Sequence, residues 1–227
     1  MNNSKNYKRT TAVLGAGAVL DFDYNGLIYP TSAEITKEVV NLKIQDIDDK
    51  DLNLVEQVYN RIVDVSREEY LRLHPDVRLF DPQILFEDLF EVIETLHSYN
   101  KTWNHNQYPF PLISALVTSD IQFASIDYYK AMVAIIKKIF EIVEAYDKKF
   151  REDDRELWYK SFWRGFDGKV DFFNLNYDTT LEYSLGDENY TDGFVGFTRD
   201  YERFDPEVLW NASSSIATVN HLHGCIL

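Results

Sequence analysis

The sequence is poor in cysteine, in basic charge and in long apolar runs, and each shortage removes a class of protein. Cys225 is the only cysteine. A disulfide framework and a four-cysteine zinc site are therefore both excluded, which fits a reducing compartment. Lys and Arg number 23 against 38 Asp and Glu, for a formal net charge of −15. Such a field repels phosphate backbones and anionic membranes, so direct nucleic-acid binding is not expected. It leaves room for a phosphate-bearing small molecule, which a local turn or helix N-terminus can hold against the global field. No apolar run approaches the roughly twenty residues that span a bilayer. Lys5, Lys8 and Arg9 precede the apolar run at 12–20 as in a secretion signal, but two glycines interrupt that run. The small triplet Ala16-Gly17-Ala18 also lies inside the run rather than after it, where a cleavage site belongs. The sequence thus predicts a cytoplasmic protein.

What is present is aromatic and apolar. Hydrophobic residues make up 45% of the 227 and aromatics 15%, with 15 Tyr, 15 Phe and 4 Trp. That excludes disorder and supplies a large core for one domain, or for one domain with a sizeable insertion.

Residues 10–14 read as a buried strand running into the glycine turn of "AVLGAGAVLDFDYNGLIYPTS". Pro30 then precedes Thr31-Ser32-Ala33-Glu34, a capping-box spacing, with Ile35, Val39 and Val40 on one helical face. From there to about residue 161 the pattern is helical. Asp51 is a candidate cap for a helix through Val55, Val58, Tyr59, Ile62 and Val63. Asp81-Pro82 reads as the start of another, through Leu85, Leu89, Val92, Ile93 and Leu96. The longest helix is predicted over 127–150, apolar over a wide arc that includes Val133, Ile136 and Phe140, and a further helix over 153–162. "NKTWNHNQYPFPLIS", between them, reads as a loop. Strand character returns at 170–175 and 216–222. This order predicts an α/β fold, a Rossmann-like parallel sheet interrupted by a large helical insertion. The division is residues 1–30 for the first strand and glycine turn, 31–165 for the helical insertion, and 166–227 for the remainder of the core. The chain ends inside the apolar run "HGCIL", which reads as a C-terminal truncation of the sheet.

Three clusters follow predicted strands, at the edge where open parallel sheets bind ligands. "GAGA" at 15–18 gives a phosphate access to backbone N–H groups, although Leu20 stands where the dinucleotide fingerprint has its third glycine. In "NLNYDTTLE", Asn174, Asn176 and Asp178 alternate along an extended segment, which would place them on one side. The plainer reading has Asp178 or Thr179 capping the helix through Leu181, Glu182 and Leu185. In "HLHG", His221 and His223 share a face, two histidines being too few for a zinc site; the second, beside Gly224, is a general-base candidate.

In this order the clusters resemble the sirtuin-like NAD-binding domain, closest to the divergent branch found in bacterial anti-phage defence proteins. "YPTSAEIT" and "YTDGFVGF" add to the resemblance, which covers both ends of the chain and not its helical middle. It implies an NAD glycohydrolase that releases nicotinamide and ADP-ribose, depleting NAD on infection. NAD would be the substrate. Gly15, Ala16, Gly17 and Ala18 would cradle the pyrophosphate, and Asn176 would hold water or a ribose hydroxyl. Asp178 would bind the nicotinamide carboxamide, and His223 would be the general base. His221 lies off the motif and is taken as structural. The family's zinc ribbon has no counterpart here, so no zinc is expected and hydrolysis is favoured over deacylation. Cys225 stands where relatives have Ser. The resemblance also implies a homo-oligomer, with a partner ATPase or a sensor protein. The alternatives are a non-catalytic module sensing NAD or ADP-ribose, and an oligomerisation scaffold built on the helical middle.

Overall fold

The computed structural model describes residues 9–15, 29–44, 53–102, 123–152, 161–162, 165–166, 169–186, 189–197, 202–211 and 217–222. The chain divides into two compact units, Pro30–Ile142 on one hand and Met1–Tyr29 with Val143–Leu227 on the other.

The helical unit contains α1 (Ser32–Val40), α2 (Leu54–Leu73), α3 (Phe86–Thr102) and the first part of α4 (Ser125–Glu152). Its second boundary falls inside α4. Helix α1 starts as its sequence specifies: the Thr31 side chain accepts from the Glu34 N–H, and the Glu34 carboxylate accepts from the Thr31 N–H. Ile35 and Val39 of α1, Leu54, Val55, Val58 and Ile62 of α2, and Phe86, Leu89, Ile93 and Leu96 of α3 are buried at helical spacing.

Two starts differ from the sequence reading. Asp51 lies outside the described residues, and α2 is capped by Asn53, whose Oδ1 accepts from the N–H groups of Val55 and Glu56. Helix α3 begins at Phe86, not after Asp81-Pro82. Arg67 explains the delay, because it donates to the Phe80 carbonyl and to the Asp81 carboxylate, so the predicted cap is held by α2 instead. The stretch read as a loop begins with the last residues of α3, and the rest of it lies outside the described residues, as does most of 153–162.

The second unit is mixed α/β around a four-stranded parallel sheet in the order β1-β2-β6-β3, compatible with a Rossmann-like arrangement. Its strands are β1 (Arg9–Leu14), β2 (Lys169–Asn174), β3 (Tyr190–Thr191) and β6 (Ala217–His221). Between β2 and β3 lies α5 (Thr180–Leu185). Between β3 and β6 lie an antiparallel pair, β4 (Phe194–Phe197) and β5 (Glu202–Phe204), and then α6 (Pro206–Trp210). Alternation puts Leu14, Val170, Phe172 and Val219 on one face, where they pack with Tyr146 and Phe150 of α4 and Leu181 and Leu185 of α5. The opposite face carries Arg9, Thr11, Asp171, Thr218 and Asn220, which line an open groove of about 410 Å³. Asp171 is buried there, taking hydrogen bonds from the Arg9 guanidinium and the Thr218 hydroxyl. Burial alone would raise its pKa; those two donors outweigh it and hold the carboxyl below its ordinary value.

Strands β3 to β5 were not predicted. They are two to four residues long, too short for alternation to register. Gly193, between β3 and β4, has φ +86°, and a Cβ there would stand 2.7 Å from Phe204 Cε2 and 2.9 Å from Leu209 Cγ. The glycine is therefore required twice, by dihedral and by space.

Candidate functional site

Parallel register brings the three predicted clusters to one edge. Leu14 pairs with Asn174 and Asn174 with His221, so β1, β2 and β6 end level. Gly15 leaves the first, the 176–178 turn leaves the second, and Leu222 leaves the third. Ala16, Gly17, Ala18, His223 and Cys225 lie outside the described residues. Among the described residues, a Cβ on Gly15 would meet nothing within 4 Å.

The second cluster is not the extended row that alternation predicted. The strand stops at Asn174 and residues 176–178 bend. The buried Asn174 side chain causes the bend: its Oδ1 accepts the Asn176 N–H at 3.0 Å, a bond the ladder would otherwise make. Asn176 and Asp178 are both buried, at 5% and 1% exposure. The capping reading of Asp178 accounts for one of its oxygens, since Oδ1 accepts from the Thr180 N–H at 3.0 Å. The Tyr29 hydroxyl also hydrogen-bonds this buried carboxylate. Thr179 occupies the N-cap position but makes no capping bond. Its N–H and hydroxyl instead donate to Asp147 Oδ2 at 2.9 and 2.8 Å, while Arg151 donates to the same hydroxyl at 2.8 Å.

Asp147 was missed in the sequence. On α4 it stands in a row of buried positions with Val143, Tyr146 and Phe150, a carboxylate where the helical period calls for an apolar side chain. That mismatch was the available signal. Its Oδ1 is also buried and without a partner among the described residues. Burial first, and the Asp178 charge second, raise its pKa to about 6, against the opposing Thr179 bonds and Arg151 charge. Tyr29 completes the cluster. Its buried hydroxyl donates to Asp178; burial first, then that negative charge and the hydrogen bond to it, push its pKa up.

The third cluster is described as far as Leu222. His221 points to the core face of the sheet, where Nε2 bonds Glu182 Oε1 of α5 and Nδ1 lies 3.4 Å from the Asn176 carbonyl. No group of three or more metal-ligating side chains occurs among the described residues, and among them no helix is long and apolar enough to cross a membrane.

The arrangement is rich in acceptors. Buried oxygens of Asp147, Thr180 and Glu182 lack partners among the described residues, all within or beside one turn at the C-terminal edge of the sheet. A buried acceptor left open costs about 1–3 kcal/mol, and a ligand that donates hydrogen bonds would recover it. No protein-family model and no curated protein sequence matches the chain.

Proposed function

We propose that the chain is the core of a sirtuin-like NAD glycohydrolase, a Rossmann-like domain that cleaves NAD to nicotinamide and ADP-ribose in the cytoplasm. Its setting would be bacterial anti-phage defence, with NAD depletion as the outcome. The observation that carries the reading is the buried Asp178 carboxylate, held by the Thr180 N–H and the Tyr29 hydroxyl at the edge where Gly15 and Asn176 also stand. The nicotinamide carboxamide is a hydrogen-bond donor that such a carboxylate accepts. Gly15, with Ala16, Gly17 and Ala18, would receive the pyrophosphate on backbone N–H groups. Cleavage of the glycosidic bond develops positive charge on the ribose, and the negative field of Asp178 favours it. Asn176 would orient the attacking water or a ribose hydroxyl, with His223 as the general base.

Chromatographic detection of nicotinamide and ADP-ribose tests this, with Asn176→Ala and His223→Ala beside the wild type. A general base contributes about 10²–10⁴-fold, so His223→Ala should lose that much. Cleavage unaffected by either substitution refutes the assignment. Binding without cleavage in the wild type makes the chain a sensor of NAD or ADP-ribose.

A specific observation favours an additional role for the helical unit. Ile126, Tyr129, Ile136 and Phe140 of α4 are 56%, 49%, 55% and 41% exposed and lie along one side of the helix. The exposed Lys130 and Lys137 precede the exposed Glu141 and Glu144, so a second copy of α4 running antiparallel presents opposite charge to each end. A homo-oligomer through this face would be weakened by Ile136→Glu with Phe140→Glu, as read by light scattering. An unchanged mass rejects it.

A further inference from the structure

Asn176 has an unusual backbone environment for a residue leaving a central strand. Its N–H is held by the Asn174 side chain of β2, and its carbonyl faces the His221 ring of β6, so two side chains replace the sheet ladder. His221 is in turn held by Glu182 of α5, both side chains being more than nine-tenths buried. The ring nitrogens therefore face a carboxylate and a carbonyl, both acceptors, and an imidazole donates to both only when doubly protonated. Glu182 keeps its second oxygen buried without a partner among the described residues.

A buried ion pair is a poor device for stability, since an apolar pair of similar volume does as well or better. What it provides is direction. We propose that Glu182 and His221 are a positioning pair: a hydrogen-bonded clamp that fixes the backbone of Asn176 and so aims its side-chain amide, and with it the Asp178 turn, at the substrate. The proposal rests on the NAD-cleaving reading for its catalytic consequence and on the hydrogen-bond geometry for the clamp itself. The pair acts through Asn176.

The test replaces the pair together, Glu182→Met with His221→Leu, in the full chain, with Glu182→Gln as the conservative variant. The urea midpoint of the double variant should equal or exceed that of the wild type. Its kcat for NAD should nevertheless fall about 100-fold, the cost of an ångström-scale misplacement, with KM nearly unchanged. Glu182→Gln, which keeps an acceptor but not the charge, should fall between the two. A purely structural pair would instead lose stability and activity together, and that result overturns the proposal, as does an unchanged kcat. Amide exchange at Asn176 and Tyr177, with ¹⁵N imidazole spectra, judges the clamp without catalysis. Exchange should quicken in the double variant, and the wild-type ring should show a hydrogen-bonded Nε2. If the wild type does not cleave NAD, the functional reading fails, and exchange alone decides the clamp; unaltered exchange overturns it.

Discussion

Asp147→Asn should make the protein more stable near neutral pH and leave it unchanged in acid. Burial and the neighbouring Asp178 lift the Asp147 pKa from 3.8 to about 6. The native state therefore binds the Asp147 proton more tightly than the unfolded chain does. The associated stability is complete below the unfolded value, and it is lost as pH rises through the folded one. A shift of about two units at about 1.4 kcal/mol each makes the ionised form some 3 kcal/mol less favourable in the native state. Asparagine is neutral throughout. Its carbonyl can still accept the Thr179 N–H and hydroxyl bonds that Oδ2 accepts now. Its amide brings a donor to the place where Oδ1 is buried without a partner among the described residues, beside the Asp178 charge.

Allowing for imperfect amide geometry, the gain should be about 2 kcal/mol at about pH 7.5, or roughly 4–8 °C in Tm for a chain of this size. Below the unfolded-state value of 3.8 the two proteins should nearly coincide, because Asp147 is then protonated in both states. Thermal and urea unfolding across that range measure the difference directly. A substitution that is neutral or destabilising at the higher pH, or a difference that does not shrink in acid, refutes the assignment of Asp147 as a strained carboxylate.

Asp178→Asn keeps an acceptor for the Thr180 N–H, so it should cost less than about 1 kcal/mol of stability while sharply reducing NAD affinity; equal calorimetric binding would dissociate Asp178 from the nicotinamide end. Gly193→Ala meets both a positive φ and the Phe204 ring, so a loss of about 2–3 kcal/mol is expected, and an unchanged urea midpoint would show that β4 and β5 pack otherwise. Thr31→Ala removes one half of the capping box and should destabilise the helical unit by about 1 kcal/mol, seen as faster amide exchange at the first turn of α1.

The parts that were legible in the sequence are those written in local chemistry. The capping box of α1 needs only Thr31 and Glu34 in order, and the three long strands needed only apolar runs bounded by glycine or asparagine. The failures also have local causes. Asp81-Pro82 is a good helix start in isolation, but Arg67 reaches it across a gap no pattern encodes. The row Asn174, Asn176, Asp178 assumed an extended backbone, yet Asn174 itself breaks the strand by taking the Asn176 N–H. In α4 the arc through Ile136 and Phe140 stays exposed, while Tyr128, Ala131 and Ile135 are buried, a choice between faces that a wide apolar arc leaves open.

The site shows the same limit more sharply. Its sequence signals, a glycine turn and two polar strand ends, identify the edge of the sheet but not the charge balance there. That balance depends on Asp147, which is 31 residues before Asp178 in the chain yet is electrostatically coupled to it, and on Tyr29, which comes from the far side of the helical unit in sequence. Of the three, only Asp147 stands out in its own segment, as a carboxylate in an apolar helical row. Together they set two buried carboxylates and a buried phenol beside one another at the edge of the sheet. Under the proposed NAD-cleaving reading, the donor amide of the ligand and the positive charge that develops on its ribose would meet Asp178, which is why Asp178 is the residue on which that reading turns.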